Sequence, residues 1–209
     1  MKEYNKMIKR LFAFVLISIC LGRAYAQDAY QNSNPLSPSE QKQQQFNREL
    51  YRDVVRVFPE TKRIPAPHFS NYDHSYDYLY FWLHESSQLY KFMSHVESKD
   101  WSLDYVLEEL NDLTLLKQRQ IRLDKPIKTS LDLLEKYEAE GEDSEFDFID
   151  DTNPLFATNI ASYLKPHGLH LIHLEYENNY FIVVDSKEKA LALVKVLDKY
   201  DYPAFYIED

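Results

Sequence analysis

From position 153 onward the sequence changes its hydrophobic period repeatedly, and the order of those changes constrains the fold more than any other feature. Asn153-Pro154 sets a capping side chain before a proline, which suits the first turn of a helix that runs to about Lys165. Pro166-His167-Gly168 ends it. Residues 169–176 and 180–184 are strand-like and are separated by Glu177-Asn178-Asn179, which predicts a β-hairpin. Phe181-Ile182-Val183-Val184 is apolar at every position, as a strand covered on both faces must be. Asp185-Ser186-Lys187-Glu188 reads as a capping box opening a helix with Ala190, Leu193, Val194 and Leu197 on one face. Residues 204–207 form a last short strand. A strand followed by a helix and another strand implies a crossover that returns to the same sheet. Residues 153–209 are therefore expected to form an α-β-β-α-β module.

The first half of the chain is predominantly helical in period. Ser37-Pro38-Ser39-Glu40 is a capping box, and Phe46, Leu50, Val54 and Val57 follow on one face until Pro59 stops the helix. Pro65 and Pro67 force an extended segment. The aromatic stretch that follows fits either period, but Leu79, Leu83, Leu89 and Met93 extend a buried stripe and favour a helix. Leu103, Val106, Leu107, Leu110 and Leu113 mark a further helix. Residues 122–128 break the pattern around Pro126, and Thr129 caps a short helix over 130–140, ended by Gly141. Residues 142–152 read as an exposed acidic connection. The expected class is α+β: a mainly helical part over 37–141 packed with the small C-terminal module, with 37–209 forming one globular domain.

The N-terminus reads as an export signal. Lys2, Lys6, Lys9 and Arg10 precede the apolar run 11–21, and Ala24-Tyr25-Ala26 offers small side chains at −3 and −1 for cleavage between Ala26 and Gln27. Met7 also suits a start. The run is shorter than the roughly 20 residues of a membrane span, so no membrane insertion is expected after cleavage. Lipidation at Cys20 is disfavoured, because Ile19 stands where a small residue is needed. Residues 27–36 are polar and serve as a flexible spacer. The expected address is the periplasm or the extracellular space, and the absence of Asn-x-Ser/Thr sequons and of disulfides suits a bacterial envelope protein.

Cleavage removes five basic residues and one acidic one, taking the net charge from −10 to −14. A chain this acidic is ill-suited to nucleic acid, whose binding depends on cations replacing phosphate counterions. A basic protein would be attracted and steered. After cleavage only Gly141 and Gly168 remain, which excludes glycine-rich phosphate loops and the Gly-x-Ser-x-Gly elbow. The only cysteine leaves with the signal, which removes thiol nucleophiles and thiolate ligands.

No residue set announces catalysis, and no cofactor or metal is expected. His170 and His173, three apart on a strand, fall on opposite faces, so with His167 they make a poor metal site. His84-Glu85-Ser86-Ser87-Gln88 resembles a zinc-protease helix, but Gln88 stands where the second histidine is needed, leaving a surface turn. The acidic run lacks the glycine of an EF-hand loop. Candidate binding residues are Tyr72, Tyr76, Tyr80 and Trp82, for their large amphipathic area, and Asp147 and Asp150, for their charge beside Phe146 and Phe148. The expected function is non-enzymatic protein–protein interaction with a basic partner, of an immunity or envelope-accessory type. The alternative is a carbohydrate-binding protein or glycan hydrolase using Asp73, Asp77 and Trp82.

Overall fold

The computed structural model describes residues 36–69, 75–96, 103–139, 148–176 and 178–208. Residues 42–209 form one compact unit, and residues 36–41 fall to a separate N-terminal unit. The expected signal peptide, its expected cleavage site and most of the expected spacer lie outside the described residues.

The expected α+β class is observed, built as a four-stranded antiparallel sheet with helices on both faces. Helix α1 spans Pro38–Val57. Its capping box forms as expected, with Ser37 N–H donating to Glu40 Oε2 at 2.6 Å and Glu40 N–H to Ser37 Oγ at 3.3 Å. Pro59 opens a 3-10 turn, Pro59–Arg63. Helix α2 is short, Ser75–Tyr80, and continues as a π-turn over Phe81–Glu85.

The aromatic stretch does not continue as a helix to Met93. Ser86 closes it, donating its N–H to Phe81 O and its hydroxyl to Trp82 O, and Ser87 Oγ accepts from the N–H groups of Leu89 and Tyr90. Consecutive serine hydroxyls thus satisfy the backbone in a non-helical path. Leu89 points into solvent, 84% exposed. Phe92 and Met93 are buried from extended backbone that leads into strand β1, Ser94–Val96, which the helical period concealed.

Helices α3 (Leu103–Asn111) and α4 (Thr114–Arg119) follow, the latter capped by Gln120 in the left-handed region at φ 55°. Helix α5 spans Asp124–Ala139, so it begins before Thr129, the expected cap. Pro126 falls in its first turn, where the missing N–H has no intrahelical acceptor to lose. Helix α6 spans Phe148–Leu164, which draws residues 148–152 out of the expected connection and places Asn153-Pro154 inside the helix. Gly168, at φ 64°, ends the 3-10 turn Lys165–His167 as expected.

Strands β2 (His170–Tyr176) and β3 (Asn178–Val184) form the hairpin, with Ile172 opposite Ile182 and His173 opposite Phe181. Ser186, rather than Asp185, caps helix α7 (Lys187–Lys199), accepting from Lys189 N–H at 3.1 Å. Strand β4, Ala204–Tyr206, joins the outer edge of β2. The order is β1-β3-β2-β4, so the helix between β3 and β4 carries the chain across β2 within one sheet.

Alternation along the strands makes two cores. Ile172, Leu174, Ile182 and Val184 face Leu50 and Val54 of α1, Leu79 of α2 and Leu193 and Leu197 of α7. Leu171, Phe181 and Val183 face Val106 and Leu110 of α3, Leu116 of α4, Ile127 of α5 and Ile160 of α6. Burial on both sides explains why residues 181–184 of β3 are all apolar. Among the described residues no helix is long and apolar enough to cross a membrane.

Candidate functional site

The residues singled out from sequence do not assemble into one site. Trp82 is fully buried, its ring 4.7 Å from that of Tyr51 and 6.2 Å from that of Tyr78, so this ring belongs to the core and offers no open face to a ligand. Tyr80 is half-buried, stacked on His84 at 4.7 Å and edge-on to His95 and Tyr180. Burial, reinforced by the Glu85 carboxylate, pushes its hydroxyl well above the ordinary tyrosine range. Tyr76, Asp77 and Asp150 lie in helices α2 and α6 with side chains outside the described set, and Tyr72, Asp73 and Asp147 lie outside the described residues altogether.

The histidines divide as the strand period requires. His173 lies in the core under Phe181, its Nε2 donating to Asn179 Oδ1 at 2.9 Å, while His170 faces Tyr206 with Nδ1 3.0 Å from the hydroxyl. His167 is exposed at the helix end. No group of three metal-ligating side chains occurs among the described residues.

His84 is not on a surface turn. It is mostly buried and donates from Nε2 to Glu109 Oε2 at 2.8 Å. Glu109 also accepts from Lys91 Nζ at 3.1 Å and from the His95 N–H at 3.1 Å. One carboxylate on α3 thereby ties down the π-turn, the extended segment and β1. Burial opposes its ionisation, but the His84 bond, the His95 N–H and the charges of His84 and Lys91 outweigh it and bring Glu109 down to about 2.

Asp53 on α1 is a second inward carboxylate, its side chain 4% exposed. It accepts from Lys199 Nζ at 2.7 Å and Tyr200 Oη at 2.9 Å, at the end of α7. Burial works against its charge, yet these donors and Arg52 lower it to about 2. Lys189 bridges Glu60 and Asp185, at 2.6 Å each. Sequence reasoning passed over Glu109 and Asp53, although a signal was present. Glu109 falls between Val106 and Leu110, and Asp53 between Leu50 and Val54, each within an apolar helical stripe. A carboxylate there must be paired.

A groove of about 580 Å³ opens between α3, α4 and the turn that follows. Its charged lining comprises Asp104, Glu108 and Asp112, spaced four residues apart, together with Lys117 and Arg122. Leu107, Leu116 and Ile121 also line it. Lys117 is engaged by Asp112 at 2.8 Å, and Arg122 by Asp124 at 2.7 Å. Asp104 and Glu108 are exposed and have no ion-pair partner among the described residues.

Compared with models of known families, with characterised proteins and with solved structures, the chain finds no match.

Proposed function

We propose that this chain is an exported, non-enzymatic protein that acts by binding a basic protein partner, in an immunity or envelope-accessory role. The observation that carries the reading is the way the fold disposes of its charges. Carboxylates of the fold consume cations: the buried Asp53 takes Lys199 with Arg52 and Arg56, the mostly buried Glu109 takes Lys91, and the more exposed Glu60 and Asp185 share Lys189. On the surface Lys187, Lys117 and Arg122 are engaged by Glu208, Asp112 and Asp124. Exposed carboxylates such as Asp104 and Glu108 are left without an ion-pair partner among the described residues. Such a field raises the encounter rate with a basic surface and rejects acidic ones. The two strongly perturbed carboxylates, Asp53 and Glu109, are fixed as anions between packed elements and do not line the groove, which supports a binding rather than a catalytic reading.

The test is capture from an envelope extract at low ionic strength, beside an unrelated acidic protein of matched charge. A basic protein enriched on this chain over the control, and released by salt, is the expected result. Identical captured sets on both proteins would refute the reading.

A further inference from the structure

We infer that the α3–α4 groove is the recognition site for that partner, and that its occupant is a lysine- or arginine-bearing segment of protein chain; the inference rests on the reading of a basic protein partner. Two features of the groove select this occupant. The first is charge: Asp104 and Glu108 are exposed with no ion-pair partner among the described residues, while Lys117 and Arg122, which also line the groove, are paired with Asp112 and Asp124. An incoming ammonium or guanidinium is therefore attracted by the unpaired carboxylates and little repelled by the paired cations. The second is the apolar lining. Leu107 and Ile121, both half-buried, lie beside the carboxylates and suit the methylene stem of a long basic side chain whose head reaches the rim.

The spacing agrees with a chain rather than an isolated cation. Carboxylates four residues apart on a helix repeat at about 6 Å, close to the roughly 6.6 Å between alternate residues of an extended strand. Successive basic side chains of an extended segment can then meet Asp104 and Glu108 in turn.

The experiment uses the full chain as exported and, as probe, a short capped peptide of alternating lysine and leucine, followed by amide chemical shifts. The expected result is shift changes centred on Leu107, Glu108 and Ile121, with affinity lowered about tenfold in the double variant Asp104→Asn, Glu108→Gln and abolished when glutamine replaces lysine in the peptide. Both substituted side chains are exposed, and unchanged thermal melting confirms that the variant folds. Equal binding by wild type and double variant overturns the groove assignment, as does spermidine binding as tightly as the peptide. The two readings separate in the capture assay. If the double variant still retains a basic envelope partner as well as wild type does, the groove proposal fails and the basic-partner reading stands. If wild type retains none, that reading fails whatever the peptide does.

Discussion

Replacing Glu109 with glutamine tests whether one buried carboxylate holds the edge of the sheet to its helices. Glu109→Gln keeps the shape of the side chain but removes the charge that Lys91 and His84 face, and the amide presents an N–H₂ group where one oxygen had accepted a bond. The carboxyl is lowered from 4.5 to about 2, and each pH unit of such a displacement corresponds to about 1.4 kcal/mol, which sets an upper value of about 3 kcal/mol. The Lys91 and Glu109 side chains retain 18% and 14% exposure, so solvent screening reduces this to about 2 kcal/mol. The assay is urea unfolding at several pH values. The sign follows from proton uptake: the unfolded carboxyl protonates first, so the stabilisation is complete above about 4.5 and is lost as pH falls from there towards about 2. Glu109→Gln should lose about 2 kcal/mol at neutral pH and show a shallower acid limb than wild type. A loss under about 0.5 kcal/mol, or an unchanged acid limb, would refute the argument.

Further expectations follow from the same packing. Trp82→Ala should cost about 3–5 kcal/mol in denaturant unfolding, as a fully enclosed ring does; a cost typical of a surface site would return Trp82 to the list of ligand contacts. Asp53→Asn should weaken the junction of α1 with α7 by about 1–2 kcal/mol, screened because the Lys199 side chain is 55% exposed, and thermal melts at pH 7 and in acid should converge for variant and wild type. His173 has its proton affinity lowered mainly by burial, so the unfolded state takes the proton first and stability declines as pH drops below about 6.5; His173→Gln should flatten melting temperature across that window. Gly168→Ala meets no atom within 4 Å but is forced to φ 64°, so its cost of about 1 kcal/mol in thermal unfolding should come from the backbone alone.

Features carried by residues within a turn of one another were legible in the sequence. The Ser37 box, the stop at Pro59, the left-handed Gly168 and the cap at the start of α7 are local hydrogen-bonding or dihedral constraints, and each is found within a residue of its expected place. The two-sided burial of β3 was equally legible, because the consecutive apolar side chains at 181–184 leave no solvent face there. What required the tertiary structure was set by partners distant in sequence. Strand β1 exists because β3 accepts it, Ser94 donating to Phe181 O from 87 residues away, and that pairing overrides the helical period of the aromatic stretch. Trp82 became core, and Asp53 and Glu109 became paired anions, because elements brought together by the sheet supplied rings and donors that no local window contains. The groove likewise belongs to the fold: the sequence put Asp104 and Glu108 one helical turn apart, and only the fold set them, with no ion-pair partner among the described residues, in a channel that Leu107 and Ile121 also line. Local chemistry decides where elements begin and end, whereas burial of a charge or a ring is a property of its surroundings, and those exist only once the chain has folded.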